Sequence, residues 1–198
     1  MPNYCDNILT VYGPTKDVFD FCHKHYRVPQ DWTERAKEKE SPTTLDFSVC
    51  APYPEVRSEG GWYEWHIENW GTKWNAFDIC FDTLNEVLES IVTDEESNRS
   101  SITYTFVTAW TPPEQWLESV SSVYKSLTFS LGYSEPALDF AGVFEAHDGN
   151  VVSLDEFEPS SLVDLGDVDW EDDDQQQVLW EQQVMATQER LEKTMAQA

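Results

Sequence analysis

Apolar and polar side chains alternate over residues 5–12, with Ile8, Thr10 and Tyr12 on one side and Leu9 and Val11 on the other. This predicts a strand, ended by Gly13-Pro14. The period then changes: Val18, Phe21, Cys22, His25 and Tyr26 recur at helical spacing behind Thr15, a capping residue. Residues 29–42 form a charged connection, 44–49 read as a second strand, 51–61 as a loop rich in Pro and Gly, and 62–67 as another strand. Phe77, Ile79 and Phe81 alternate over 75–81, and Leu84, Val87, Leu88 and Ile91 trace a helix closed by Ser97-Asn98. The clearest strand covers 102–110. Thr111-Pro112-Pro113-Glu114 reads as a helix start with a capping hydroxyl, proline at the first position and acid in the first turn; the helix behind it buries Trp116, Val120, Val123, Tyr124 and Leu127. Strands over 128–133 and 140–146 follow, and Asp148-Gly149 turns the second into Val151-Val152. Residues 175–198 read as a last helix, with Trp180, Val184, Leu191 and Met195 on one stripe. Each earlier helix has one apolar stripe, so the predicted class is α+β, a ferredoxin-like antiparallel sheet with helices on one face.

Composition divides the chain further. It has 198 residues, 40% of them hydrophobic and 14% aromatic, enough for a buried core in one domain with residues to spare. Formal net charge is −26, a balance that repels phosphate backbones and anionic lipid and argues against direct binding to nucleic acid. Lys and Arg stop at Lys125 and resume at Arg190, and 16 Asp and Glu lie between them. We therefore expect a ferredoxin-like domain over 1–152, an acidic segment over 153–174 and an amphipathic helix over 175–198. Within the acidic segment carboxylates are interleaved with Leu154, Phe157, Leu162, Val163, Leu165, Val168 and Trp170, unlike an ordinary solvating tail. Two readings stay open: a disordered linker, or a segment that docks on a basic partner. In the second, the contacts are Asp155, Glu156, Glu158, Asp164, Asp167, Asp169, Trp170, Glu171, Asp172, Asp173, Asp174 and, in the helix, Trp180. No apolar run reaches the ~20 residues of a membrane helix and no signal-peptide pattern opens the chain, so a cytoplasmic protein is expected. Cys5, Cys22, Cys50 and Cys80 then read as free thiols.

Catalytic patterns are not convincing. No Walker loop, G-x-G-x-x-G, G-x-S-x-G or H-E-x-x-H occurs. Cys22, His23 and His25 lack zinc spacing, so no metal and no cofactor is expected. His147-Asp148-Gly149-Asn150 reads as a hairpin turn, and Glu64 with Glu68 as surface groups. Residues 69–76 are the most unusual stretch. Asn69, Trp70, Lys73 and Trp74 could form a ligand loop, with two indoles and a cation suited to a nucleotide. Alternatively Trp74 fills the core while Asn69 and Asn75 bond their own loop and Gly71 takes a conformation other residues avoid.

Three stretches carry a resemblance: Met1-Pro2-Asn3-Tyr4-Cys5-Asp6-Asn7 with Leu9, Val11 and Gly13; Asn69-Trp70-Gly71-Thr72-Lys73-Trp74-Asn75-Ala76; and Thr108-Ala109-Trp110-Thr111-Pro112-Pro113. Together with Tyr133-x-Glu135 and Phe140-Ala141-Gly142 they resemble the YubB-type ferredoxin-like domain of phage and plasmid proteins over about residues 1–150, with Tyr4 where that family usually has Trp. The resemblance implies the fold and a mobile-element origin, and no catalytic residues. The functional expectation is a non-enzymatic acidic protein, a monomer or weak dimer. It would inhibit a host nucleic-acid-binding defence protein, of the restriction or CRISPR kind, by presenting carboxylates to its basic surface. The alternative is a nucleotide or small-molecule binder, or an enzyme, using Trp70, Lys73 and Trp74. The last helix is expected to pack on its own body or on the target, with Trp180 as anchor.

Overall fold

In the computed structural model, which describes residues 3–28, 42–54, 61–164 and 173–197, the alternation at the N-terminus becomes β1 (Tyr4–Pro14). Cys5, Asn7, Leu9 and Val11 point into the core while Tyr4, Asp6 and Tyr12 face outward. β1 lies mid-sheet, antiparallel to β3 (Arg99–Ala109) on one side and β4 (Thr128–Glu135) on the other, so that Ile8 sits opposite both Thr105 and Gly132. β2 (Val92–Asp94) extends the β3 side; β5 (Phe140–His147) and β6 (Asn150–Phe157) extend the β4 side, giving the order β2-β3-β1-β4-β5-β6. With α1 (Thr15–His25) between β1 and β2, and α4 (Glu114–Val123) between β3 and β4, the two split strand–helix–strand units of a ferredoxin-like domain are complete, and β5–β6 is an added hairpin. Asp148 and Gly149 both take positive φ at its turn, which matches the twist of the strands they join.

The buried faces of α1 (Val18, Phe21, Cys22, His25) and α4 (Trp116, Leu117, Val120) pack on the same side of the sheet, against Leu9, Val11, Tyr104, Phe129 and Leu131. Phe21 meets Tyr104, Tyr124 and Phe129 edge-on, with centroids 5.4–6.4 Å apart. The start of α4 differs from expectation: Pro113 is the N-cap and no side chain caps it, because Thr111 donates instead to the Gly71 carbonyl; Val123 is exposed.

Several segments depart from their local pattern. Residues 44–49 are not a strand: Thr43 bridges Arg27, and Phe47–Val49 is a short 3-10 turn opened by Asp46, whose carboxylate accepts from the Ser48 amide. Residues 62–67 belong to a helix, α2 (Gly61–Trp70), because His66 and Trp70 are one turn apart and stack at 4.0 Å. Over 75–81 the chain makes one bridge, Phe77 with Val107, alongside the outer edge of β3. α3 (Leu84–Glu89) begins with a capping box between Thr83 and Glu86, and β2 follows it where the pattern gave no strand. Residues 29–41 of the charged connection lie outside the described residues.

The expected boundary at 152 falls inside β6, whose pairing with β5 continues to Phe157 opposite Ala141. The last helix, α5 (Asp173–Met195), docks on the protein's own sheet, on the face opposite α1 and α4. Gly132 lets α5 lie close: a Cβ there would sit 2.8 Å from Met195 Sδ, in a flexible side chain, and 3.6 Å from Leu191 Cβ, an ordinary contact. The buried stripe of α5 is Leu179, Thr187 and Leu191, and Trp180 stays 48% exposed, so Trp180 is not the anchor. Gly132→Ala is expected to be tolerated through movement of the flexible Met195 thioether. Gly132→Phe is expected to lift α5, seen as rapid protease cleavage within 173–195 while β1, β3 and β4 keep their amide protection. Equal cleavage in parent and Phe variant would show that α5 is not seated there. No helix of the described residues is long and apolar enough to cross a membrane.

Candidate functional site

The loop after α2 is a clasp. Asn75 Oδ1 accepts from the Phe47 amide at 2.9 Å and its Nδ2 donates to Asp46 Oδ1 at 2.8 Å. Thr72 bonds both the carbonyl (2.9 Å) and the amide (3.1 Å) of Ala109, closing the end of β3. Asp46 also receives Arg27; burial works against its carboxylate, but the bonds from Ser48, Asn75 and Arg27 outweigh it and hold the group below the usual range. Trp70, not Trp74, is the core residue: it is 5% exposed and its Nε1 donates to the Ala51 carbonyl at 2.8 Å. Asn69 bonds its own helix through the Trp65 carbonyl. Gly71 takes φ +81°, a conformation that strains any L side chain, and a Cβ there would sit 3.2 Å from the backbone of Pro112 and Glu114. Trp70 and Trp74 thus point into different surroundings rather than walling one pocket.

Trp74 belongs instead to a strip of exposed rings. Tyr4 meets Phe77 (5.6 Å), Phe77 meets Trp74 (6.3 Å), and Lys73 Nζ lies 4.7 Å from the Trp74 ring and 6.0 Å from Tyr63, which touches Trp62 (6.0 Å). Tyr4, Trp62, Tyr63 and Trp74 are each between 37% and 50% exposed, although nothing in the fold requires large rings outside. Glu64 and Glu68, on the same helix as Trp62 and Tyr63, are exposed.

The acidic candidates separate. Asp155 is an internal ion-pair partner: Arg190 Nε and Nη2 reach its two oxygens at 2.7 Å each, and this guanidinium holds the carboxyl below its ordinary range. Asp155 and Glu156 cannot act as one row, since consecutive strand residues face opposite sides of the sheet. Glu156, Glu158, Asp164 and Asp174 are exposed. Asp167, Asp169, Trp170, Glu171 and Asp172 lie outside the described residues, as does the side chain of Asp173. A second acidic run, one the charge asymmetry did not single out, is on the opposite edge. Asp82, Glu86, Glu89, Asp94, Glu95 and Glu96 are all exposed along α3 and β2, and no Lys or Arg occurs between Lys73 and Arg99.

Trp180 lines a groove of about 480 Å³ between α5 and the outer face of β1 and β3. Ile8, Val107, Val184 and Leu191 supply its apolar walls, Asp6 and Asp78 its charge. Burial pushes the Asp6 carboxyl upward. These residues had no signal in the sequence beyond the strand alternation, because β1, β3 and α5 are far apart along the chain.

No nucleophile–base pair emerges from the Cys–His contact seen among the described residues, His25 with Cys50. The His25 Nδ1–H donates to the Phe21 carbonyl at 3.0 Å, which leaves Nε2 as acceptor for the Cys50 thiol at 3.6 Å. Burial pushes the thiol up to about 12 and the imidazole down to about 4, so both are neutral near pH 7, the reverse of an activated thiolate–imidazolium pair. Cys5, Cys22, Cys50 and Cys80 are free thiols, and among the described residues no group of His, Cys, Asp and Glu is arranged to hold a metal.

No curated protein matches the chain. Among solved structures, the crystal structure of protein api92 from Yersinia pseudotuberculosis aligns with a TM-score of 0.42 at 10% identity, covering 80% of this chain and 98% of that one. Residues 90–181, from just before β2 into α5, match the family model described as the ferredoxin-like domain in Api92-like protein.

Proposed function

We propose that this is a non-enzymatic acidic binding protein whose partner presents a basic surface of the kind that grips nucleic acid. The observation that carries this reading is the ring strip from Tyr4 through Phe77 and Trp74 to Tyr63 and Trp62, exposed on a chain of net charge −26. Exposed Trp and Tyr are the residues that dominate protein–protein binding energy, and their faces attract Arg and Lys. Carboxylates around them add steering toward a basic partner and repel nucleic acid itself. Phosphate-binding channels are built to release counterions, and an array of carboxylates can enter the same channel. In its finer form, the partner is a host defence protein, of the restriction or CRISPR kind, and the gene is of phage or plasmid origin.

Competition is the test. Labelled duplex DNA is bound to candidate nucleases and repressors, and the full chain is titrated in at about 50 mM and about 200 mM salt. The chain is expected to displace the duplex from a member of the panel, less well at the higher salt, and a Trp62→Ser/Trp74→Ser variant is expected to lose roughly tenfold or more in potency. Duplex retained across the whole panel, or displacement indifferent to both salt and the two tryptophans, would refute the reading.

A further inference from the structure

The groove under α5 has the makings of a ligand site that the surface strip does not use. Its volume, about 480 Å³, is that of a small-molecule pocket. Ile8 and Val107 rise from the sheet, Val184 and Leu191 descend from the helix, and the Trp180 ring stands at the side. Asp6 and Asp78 join this apolar lining, and among the described residues no Lys, Arg or His does. Among the described residues neither carboxylate has an ion-pair partner, and partial burial pushes the Asp6 carboxyl upward. Thr187, only 4% exposed, lines the same groove with a hydroxyl that makes no hydrogen bond among the described residues.

We propose that this groove binds a small organic cation, an ammonium or guanidinium group carried on an apolar body, with Trp180 against the body and Asp6 and Asp78 holding the charge. A cation would pair with the two carboxylates, a neutral ligand would gain nothing from them, and an anion would add a third like charge. The space matches one small molecule, which favours a free ligand over a partner segment. The proposal does not depend on a macromolecular partner.

The test uses the full ¹⁵N-labelled chain with three probes of one shape: phenethylammonium, phenethyl alcohol and hydrocinnamate. The cation is expected to bind saturably, with Kd on the order of 1 mM or tighter, and to shift the amides of Ile8, Val107, Thr187 and the Trp180 indole. The alcohol should bind roughly tenfold more weakly or worse, and the anion should not saturate. Asp6→Asn/Asp78→Asn should lose the preference for the cation, whereas Glu95→Gln/Glu96→Gln, which changes exposed charge at the far edge, should keep it. Trp180→Phe, confirmed folded by its melting curve, should retain weaker binding. Absence of saturable binding overturns the proposal, as does equal affinity for the alcohol. Shifts spread over the acidic surface and lost equally in the Glu95/Glu96 variant would also overturn it, as condensation of cations on a polyanion. An arginine-bearing peptide that binds roughly tenfold more tightly than both phenethylammonium and agmatine would replace the free ligand with a partner's side chain.

Discussion

Trp116→Ala is expected to cost about 3–5 kcal/mol of folding free energy, the largest loss among the single tryptophan substitutions described here. Trp116 is fully buried and stacks on Phe47 at 4.4 Å with 27° between the rings. His25 meets it edge-on at 6.2 Å. Its side chain therefore joins α4, α1 and the 3-10 turn, three elements with no backbone ladder between them, and its removal leaves a cavity bordered by rings that cannot collapse freely. Among the described residues the indole N–H has no hydrogen-bond partner, so the loss is one of packing. Trp70→Ala should also be costly, because it removes a buried ring and orphans the Ala51 carbonyl. Trp74→Ala, at a position 37% exposed, should cost no more than about 1 kcal/mol. Urea unfolding of the three variants checks the order. A Trp116 variant within about 1 kcal/mol of the parent would mean that α4 is not seated on the sheet as described.

That order reverses the reading of the sequence, in which Trp74 was the candidate core residue, and the reason is geometric. Trp70 ends α2 and is carried inward by the helix, while Trp74 comes four residues later, after Gly71 has turned the chain outward. A loop containing two tryptophans does not say which one turns in. The same limit explains α2 itself, where the residues Trp62-Tyr63-Glu64-Trp65 fit strand preference and the helix is selected by the His66–Trp70 stack together with the contacts of Trp70 with Phe47 and the Ala51 carbonyl. By contrast β1, β3, the β5–β6 hairpin and the buried face of α1 were legible, because alternation, a positive-φ Asp-Gly pair and a 3.6 period are each local. The α5 stripe was legible as apolar but not in phase: docking buries Leu179, Thr187 and Leu191, which leaves Trp180 at the groove edge. Charge shows the same limit. Asp155 and Glu156 look alike in sequence, yet one is clamped by Arg190 and the other faces away from it. The groove was not legible at all, since its two carboxylates and its tryptophan come from segments that only tertiary structure brings together.

Acidification from about pH 7.5 to about pH 5 is expected to remove about 2 kcal/mol of stability through His25 alone. His25 is fully buried, stacked on Phe21 at 4.1 Å, and burial lowers its pKa from an ordinary 6.5 to about 4. Protonation in the folded state would place a charge among Phe21, Trp116 and Tyr124, and would set a second N–H against the Cys50 thiol. The unfolded chain pays no such penalty and takes up a proton once the pH drops below about 6.5. The unfolded state then binds more protons than the folded one, so stability falls as pH falls, from the unfolded pKa down to the folded one. Asp46 and Asp155, both lowered, act in the same direction but at more acidic pH, where the unfolded carboxylates titrate. Asp6, raised by burial, acts in the opposite direction. The readout is therefore the difference between parent and His25→Gln, which keeps a donor for the Phe21 carbonyl and does not titrate. Urea unfolding at the two pH values should show the parent losing about 2 kcal/mol more than the variant over this interval. Equal losses in both proteins would place a neutral, buried His25 in error, and with it the packing of α1 against α4.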